Sequence, residues 1–97
     1  MKIIIGGAGA VGTHLAKLLS REHHDITIMD ASPEKFENLV TNYDLMGCAV
    51  SPTSIEGLRS AGVGNADLVI GVTPNETENL TCCMLASKMG AKRLWRV

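Results

Sequence analysis

Short apolar runs alternate along this chain with longer stretches of helical spacing, and turn residues separate them. Met1-Lys2-Ile3-Ile4-Ile5 is continuously apolar after its second residue, which predicts a central strand covered on both faces. Val11, Leu15, Leu18 and Leu19 then recur at the spacing of an amphipathic helix over residues 10–21, with His23-His24-Asp25 as the following turn. Ile26 to Met29 gives a second strand that closes on Asp30. Ser32-Pro33-Glu34 carries a hydroxyl acceptor, a fixed φ and an acid in helix-start order, so a helix is expected through about Asn42. Leu45 to Val50 forms a weaker third strand interrupted by Gly47, and Thr53 with Glu56 makes a capping box for a short helix ending at Gly62. Leu68 to Val72 is a clear fourth strand. Thr73-Pro74-Asn75-Glu76 repeats the capping pattern, opening a helix through Met89 that stops at Gly90, and Leu94 to Val97 begins strand five.

Strands alternating with helices need right-handed crossovers, which place the strands in one parallel sheet with helices on both sides. The expected fold is therefore α/β: a Rossmann-type doubly wound parallel sheet of strand order 3-2-1-4-5, in three α/β/α layers. Residues 1–97 make one domain, and because the chain stops on a strand where such folds usually continue to a sixth, it is expected to be a fragment of a longer chain. With one Phe, one Trp and one Tyr, the core has to be aliphatic. A net charge of −1 gives no general attraction for nucleic acid or anionic membrane, so any phosphate has to be held locally. The absence of a long apolar run and of a leader pattern predicts a cytosolic chain without membrane insertion. Cys48, Cys82 and Cys83 lack metal-ligand spacing and are read as reduced core residues.

The chemistry concentrates in Gly7-Ala8-Gly9-Ala10-Val11-Gly12, placed directly after strand one and opening helix one. Gly7 permits a tight turn, Gly9 lets the backbone approach a pyrophosphate, and Gly12 brings the helix close to the sheet. The unpaired amides of the first helical turn then face the phosphates, aided by the helix dipole. Asp30 stands 18 residues beyond Gly12 at the end of strand two, near the separation of about 20 expected for an acid that accepts the adenosine ribose hydroxyls. A carboxylate there repels a 2′-phosphate, and neither Ala31 nor Ser32 supplies an arginine to reverse this, so NAD is predicted over NADP. Thr73-Pro74 falls on the same sheet edge as a ligand contact or a helix cap, Asn79 as a brace for that loop, and Arg96 as a phosphate contact or a surface cation. No catalytic triad and no metal-ligand set can be assembled from His14, His23, His24 and the cysteines.

Lys2 to Gly12, the ending Ile28-Met29-Asp30, Leu58-Arg59-Ser60-Ala61-Gly62, Val69-Ile70-Gly71-Val72-Thr73 with Glu76 and Asn79, and the terminal Arg96-Val97 together resemble the TrkA N-terminal domain family, also called KTN or RCK. These are cytosolic regulators of bacterial Trk potassium uptake. The resemblance covers essentially the whole chain. It implies a non-catalytic, nucleotide-binding regulatory domain, forming homo-oligomers and acting on a membrane potassium-transporter subunit, with NAD+ or NADH as ligand and ATP or ADP as alternative occupants of the same site. Carried over by position, Gly7, Ala8, Gly9, Ala10 and Val11 would hold the pyrophosphate, Asp30 the ribose, Thr73 and Pro74 the dinucleotide from strand four, and Arg96 the ligand from strand five. Where the family often has Gly-Asp after strand three, this chain has Val50-Ser51, which removes a carboxylate from the pocket rim. The competing readings of the same loop are the cofactor-binding portion of an NAD-dependent oxidoreductase and a stand-alone nucleotide-binding or assembly module.

Overall fold

In the computed structural model, which describes residues 1–96, the three isoleucines of β1 (Lys2–Gly6) are completely buried. β1 is flanked by β2 (Asp25–Met29) and β4 (Leu68–Gly71), while β3 (Met46–Cys48) and β5 (Leu94–Arg96) form the outer edges. All pairings are parallel and the order is β3-β2-β1-β4-β5, the expected topology. Val97, expected in strand five, lies outside the described residues.

The two-residue period of β1 divides the core. Ile3 and Ile5 face one side with Ile26, Ile28, Ile70, the helix residues Ala16 and Leu39, and Phe36. Ile4 faces the other with Met29, Val69, Leu58, Cys82 and Ala86. Helices α1 (Ala10–Ser20) and α2 (Glu37–Asn42) therefore cover one face, and α3 (Ile55–Ser60) and α4 (Glu76–Lys88) the other. Each buried isoleucine stabilises this arrangement by about 2–3 kcal/mol through removal from water. At the amino edge of the sheet, Asp67 accepts the Lys2 N–H at 2.8 Å and lies 3.5 Å from the Lys92 ammonium, tying β1 to the start of β4.

Four local expectations are corrected. The apolar stripe of α1 does not face inward as a whole: Gly12 and Ala16 are buried, Leu15 and Leu19 partly so, while Val11 and Leu18 are exposed. Small residues set the helix axis close to the sheet and leave Val11 on the rim. The helix expected from Ser32 divides into a single 3-10 turn, Pro33–Lys35, and α2, with a break at the buried Phe36. Ser32 makes no side-chain cap; its N–H instead donates to Asp30 Oδ1 at 2.9 Å. The helix after strand three is capped by Ser54, which accepts from Gly57 N–H, rather than by Thr53. Gly47 does not interrupt β3 but occupies its middle, paired with Ile28, because a side chain there would collide with the Phe36 ring.

Candidate functional site

The carboxyl ends of β1, β2 and β4 meet around the glycine loop. Gly7 has φ +123°, a conformation that side-chain-bearing residues rarely adopt, and its N–H donates to the Met29 carbonyl at 2.8 Å. The next amide, Ala8 N–H, donates to Asp30 Oδ2 at 3.0 Å. Consecutive peptide groups thus fasten the loop to the end of β2, and Asp30 sits directly against the glycine loop.

Gly9 is the N-cap of α1 and offers no side chain to satisfy the helix amides. The first amide to find a carbonyl at this end is that of Thr13, which reaches Gly9 O at 3.0 Å, so those of Ala10, Val11 and Gly12 have no partner within the helix. No acid occupies its first turn. By contrast, α4 is capped by Asn75, whose Oδ1 accepts from Glu78 N–H, and carries Glu76 and Glu78 in its first turn. The positive end of α1 is left for an external anion.

The loop glycines divide their work in space. A Cβ built on Gly9 would have nothing within 4 Å, whereas one on Gly12 would collide with the carbonyl of Gly7 and crowd Val72 Cγ2 at 3.3 Å. Gly12 therefore closes the helix onto its own turn, and Gly9 keeps the surface open. That open surface forms the wall of a hollow of about 280 Å³ lined by Gly9, Ala10, Val11, Val72, Thr73 and Pro74. The fold thus brings the loop and the Thr73-Pro74 segment together, with Asp30 bonded to the loop's Ala8.

Thr73 is held from below rather than acting as a cap. Asn79, 2% exposed, accepts the Thr73 N–H at 2.7 Å and its hydroxyl at 2.8 Å through Oδ1, and donates Nδ2 to the Thr73 carbonyl at 2.9 Å. The cap of α4 is Asn75, two residues later than Thr73. Arg96 does not line the hollow. Its guanidinium lies 3.9 Å from Glu76 Oε1, and its side chain borders a separate groove of about 410 Å³ along α4 with Leu80, Met84 and Leu94.

A basic residue overlooked in the sequence joins the site. The 3-10 turn folds Lys35 back until its ammonium is 4.0 Å from Asp30 Oδ2, the oxygen already bonded to Ala8. The signal was a lysine one tight turn past the acid, visible only once Pro33 was known to start a turn rather than a continuous helix.

The arrangement can bind an anionic group at bare helix amides and a diol at a carboxylate beside them. A dinucleotide carries both kinds of group. Cys82 and Cys83 are poor nucleophiles: burial pushes the Cys82 thiol up to about 12, with Cys83 beside it adding to the effect, and burial likewise raises Cys83. All three are free thiols, with Cys82 and Cys83 buried and Cys48 half-buried. Among the described residues, no group of three or more His, Cys, Asp and Glu is placed to hold a metal ion, and no helix is long and apolar enough to cross a membrane.

The sequence model of the TrkA-N domain family matches residues 3–96. The Trk system potassium uptake protein TrkA of Haemophilus influenzae is 42% identical over 85 residues, covering 88% of this chain and 19% of that protein. A Trk system potassium uptake protein TrkA homolog of Archaeoglobus fulgidus is 38% identical over 94 residues, covering 97% of this chain and 21% of its own length. TrkA of Halomonas elongata is 41% identical over 86 residues, covering 89% and 19%. The chain thus spans about one fifth of the length of these relatives. With its parallel sheet, its glycine loop and this match along nearly its whole length, the chain belongs to the TrkA-N domain family.

Proposed function

We propose that this domain is the non-catalytic nucleotide sensor of a potassium-uptake system, binding NAD+ or NADH at the glycine loop, with ATP or ADP as competing occupants. The observation that carries the reading is the uncapped, acid-free N-terminus of α1 beside a carboxylate, in a chain whose relatives are named for Trk potassium uptake. Gly7, Ala8, Gly9, Ala10 and Val11 would face the pyrophosphate, Asp30 the ribose, and Thr73 and Pro74 the far side of the dinucleotide. Arg96 would reach the ligand from β5 only by exchanging its Glu76 partner for a phosphate. The bound nucleotide supplies charge and shape here, not a hydride: the chain's own residues hold it and report its presence.

The reporting step needs a second state. A nucleotide shifts a gate only by binding one conformation more tightly than another. We place the domain in a homo-oligomer on the cytoplasmic side of a membrane potassium-transporter subunit, where crevice loops also meet a neighbour. The exposed Leu80, Met84 and Leu94 around the groove beside α4 give that assembly apolar surface to cover.

Gly9→Ala tests the site without disturbing the fold. The added methyl has open space and Gly9 has φ −79°, so the melting temperature is expected to stay within about 2 °C. The same methyl stands where a pyrophosphate would approach, so NADH affinity by calorimetry should fall about tenfold or more, about 1.4 kcal/mol. In the parent protein the same substitution should blunt the nucleotide dependence of potassium uptake. Unchanged NADH affinity in a folded Gly9→Ala variant, or steady turnover of NADH with a substrate, would remove this reading.

A further inference from the structure

The charge that opposes a 2′-phosphate at the ribose subsite is not alone. Lys35 is half-exposed, and its ammonium lies 4.0 Å from the Asp30 oxygen that the loop amide of Ala8 also contacts. The backbone of the turn places Lys35 within reach of that acid. Ser32 N–H is bonded to Asp30 Oδ1, Pro33 fixes the first residue of the 3-10 turn, and Lys35 N–H donates to the Ser32 carbonyl at 3.1 Å. The stretch from Asp30 to Lys35 is therefore a closed loop that returns a cation to the acid at its start.

We propose that Lys35 is a specificity-determining residue of the ribose subsite: it offsets the repulsion between Asp30 and a 2′-phosphate, so that the domain discriminates between NAD and NADP much less sharply than a lone carboxylate would. The inference rests on the dinucleotide reading of the crevice. A ribose with a free 2′-hydroxyl needs only the carboxylate, and gains little from the ammonium. A 2′-phosphate meets both charges, and the ammonium supplies it with a partner across the subsite.

The test is calorimetric titration of the protein with NADH and NADPH, in the natural sequence, in Lys35→Met and in Lys17→Met. Methionine keeps the apolar stem and removes the charge. Lys17, on α1, changes net charge equally away from Asp30. The ratio of NADPH to NADH dissociation constants is expected to rise about fivefold in Lys35→Met, as for a partly exposed charge pair, and to stay near the natural value in Lys17→Met. Raising the salt concentration toward 1 M should shrink the difference, because the screening length then falls to about 3 Å, shorter than the separation of these exposed charges. Equal weakening of both nucleotides in Lys35→Met, or the same change of ratio in Lys17→Met, overturns the assignment while leaving the crevice as the dinucleotide site. Failure of the natural sequence to bind either nucleotide overturns the site reading itself, and this inference with it.

Discussion

An asparagine at position 30 would keep the shape of the aspartate and lose one acceptor oxygen. Both oxygens are engaged, Oδ1 by Ser32 N–H and Oδ2 by Ala8 N–H, so one of those amides would face an amino group instead. Asp30→Asn is therefore expected to lower unfolding stability by about 1–2 kcal/mol in a denaturant titration, as well as weakening NADH. Lost binding at full stability would mean that the loop does not depend on this carboxylate. The position of Asp30 was legible from its spacing to the glycines, because strand length and helix length fix where strand two must end. Its bond to Ala8 was not, since that depends on the left-handed turn at Gly7, nor was Lys35, whose approach depends on a 3-10 turn that the helical pattern of residues 32–42 conceals.

Caps show how a local pattern can be right in kind and wrong in place. Thr73 with Glu76 and Asn75 with Glu78 both satisfy the rule of a polar acceptor followed three residues later by an acid. The later pair begins α4 because Thr73 is already committed to Asn79. Asn79→Ala, at a nearly dry position, would release the Thr73 N–H and carbonyl and leave the hydroxyl only its bonds to the Asn75 backbone. A loss of about 2–3 kcal/mol is expected by thermal or chemical unfolding, together with faster amide exchange at Thr73. An unchanged exchange rate would show that the β4 loop is held by other contacts. The element order and strand types were legible because apolar period separates strands from helices; which face of α1 turns inward was not, because Gly12 and Ala16 carry no apolar signal strong enough to outweigh Val11 and Leu18.

Across the whole molecule, sheet order followed from the sequence because right-handed crossovers leave few ways to lay alternating strands and helices. The apolar groove beside α4 was not legible, since periodicity marks a residue as apolar without saying what covers it. Acid sensitivity also belongs to this scale. The backbone bond from Lys2, opposed by desolvation and reinforced by Lys92, holds the Asp67 carboxyl below its ordinary value of 3.8. Asp67 therefore adds stability above that value, and the contribution is lost as pH falls through the lowered one. Asp67→Asn should melt earlier than the natural protein at pH 7, with the gap closing only below 3.8; a gap that persists in stronger acid would point to packing instead. Finally, the Ala8–Asp30 bond means that, under the proposed function, the sugar's acceptor would already be oriented before any nucleotide arrives. A receptor finished in advance would spend no time rearranging its ribose contact, so encounter would be quick and the clock of the proposed sensor would be set by escape: its memory of a metabolic change would last as long as one nucleotide stays seated.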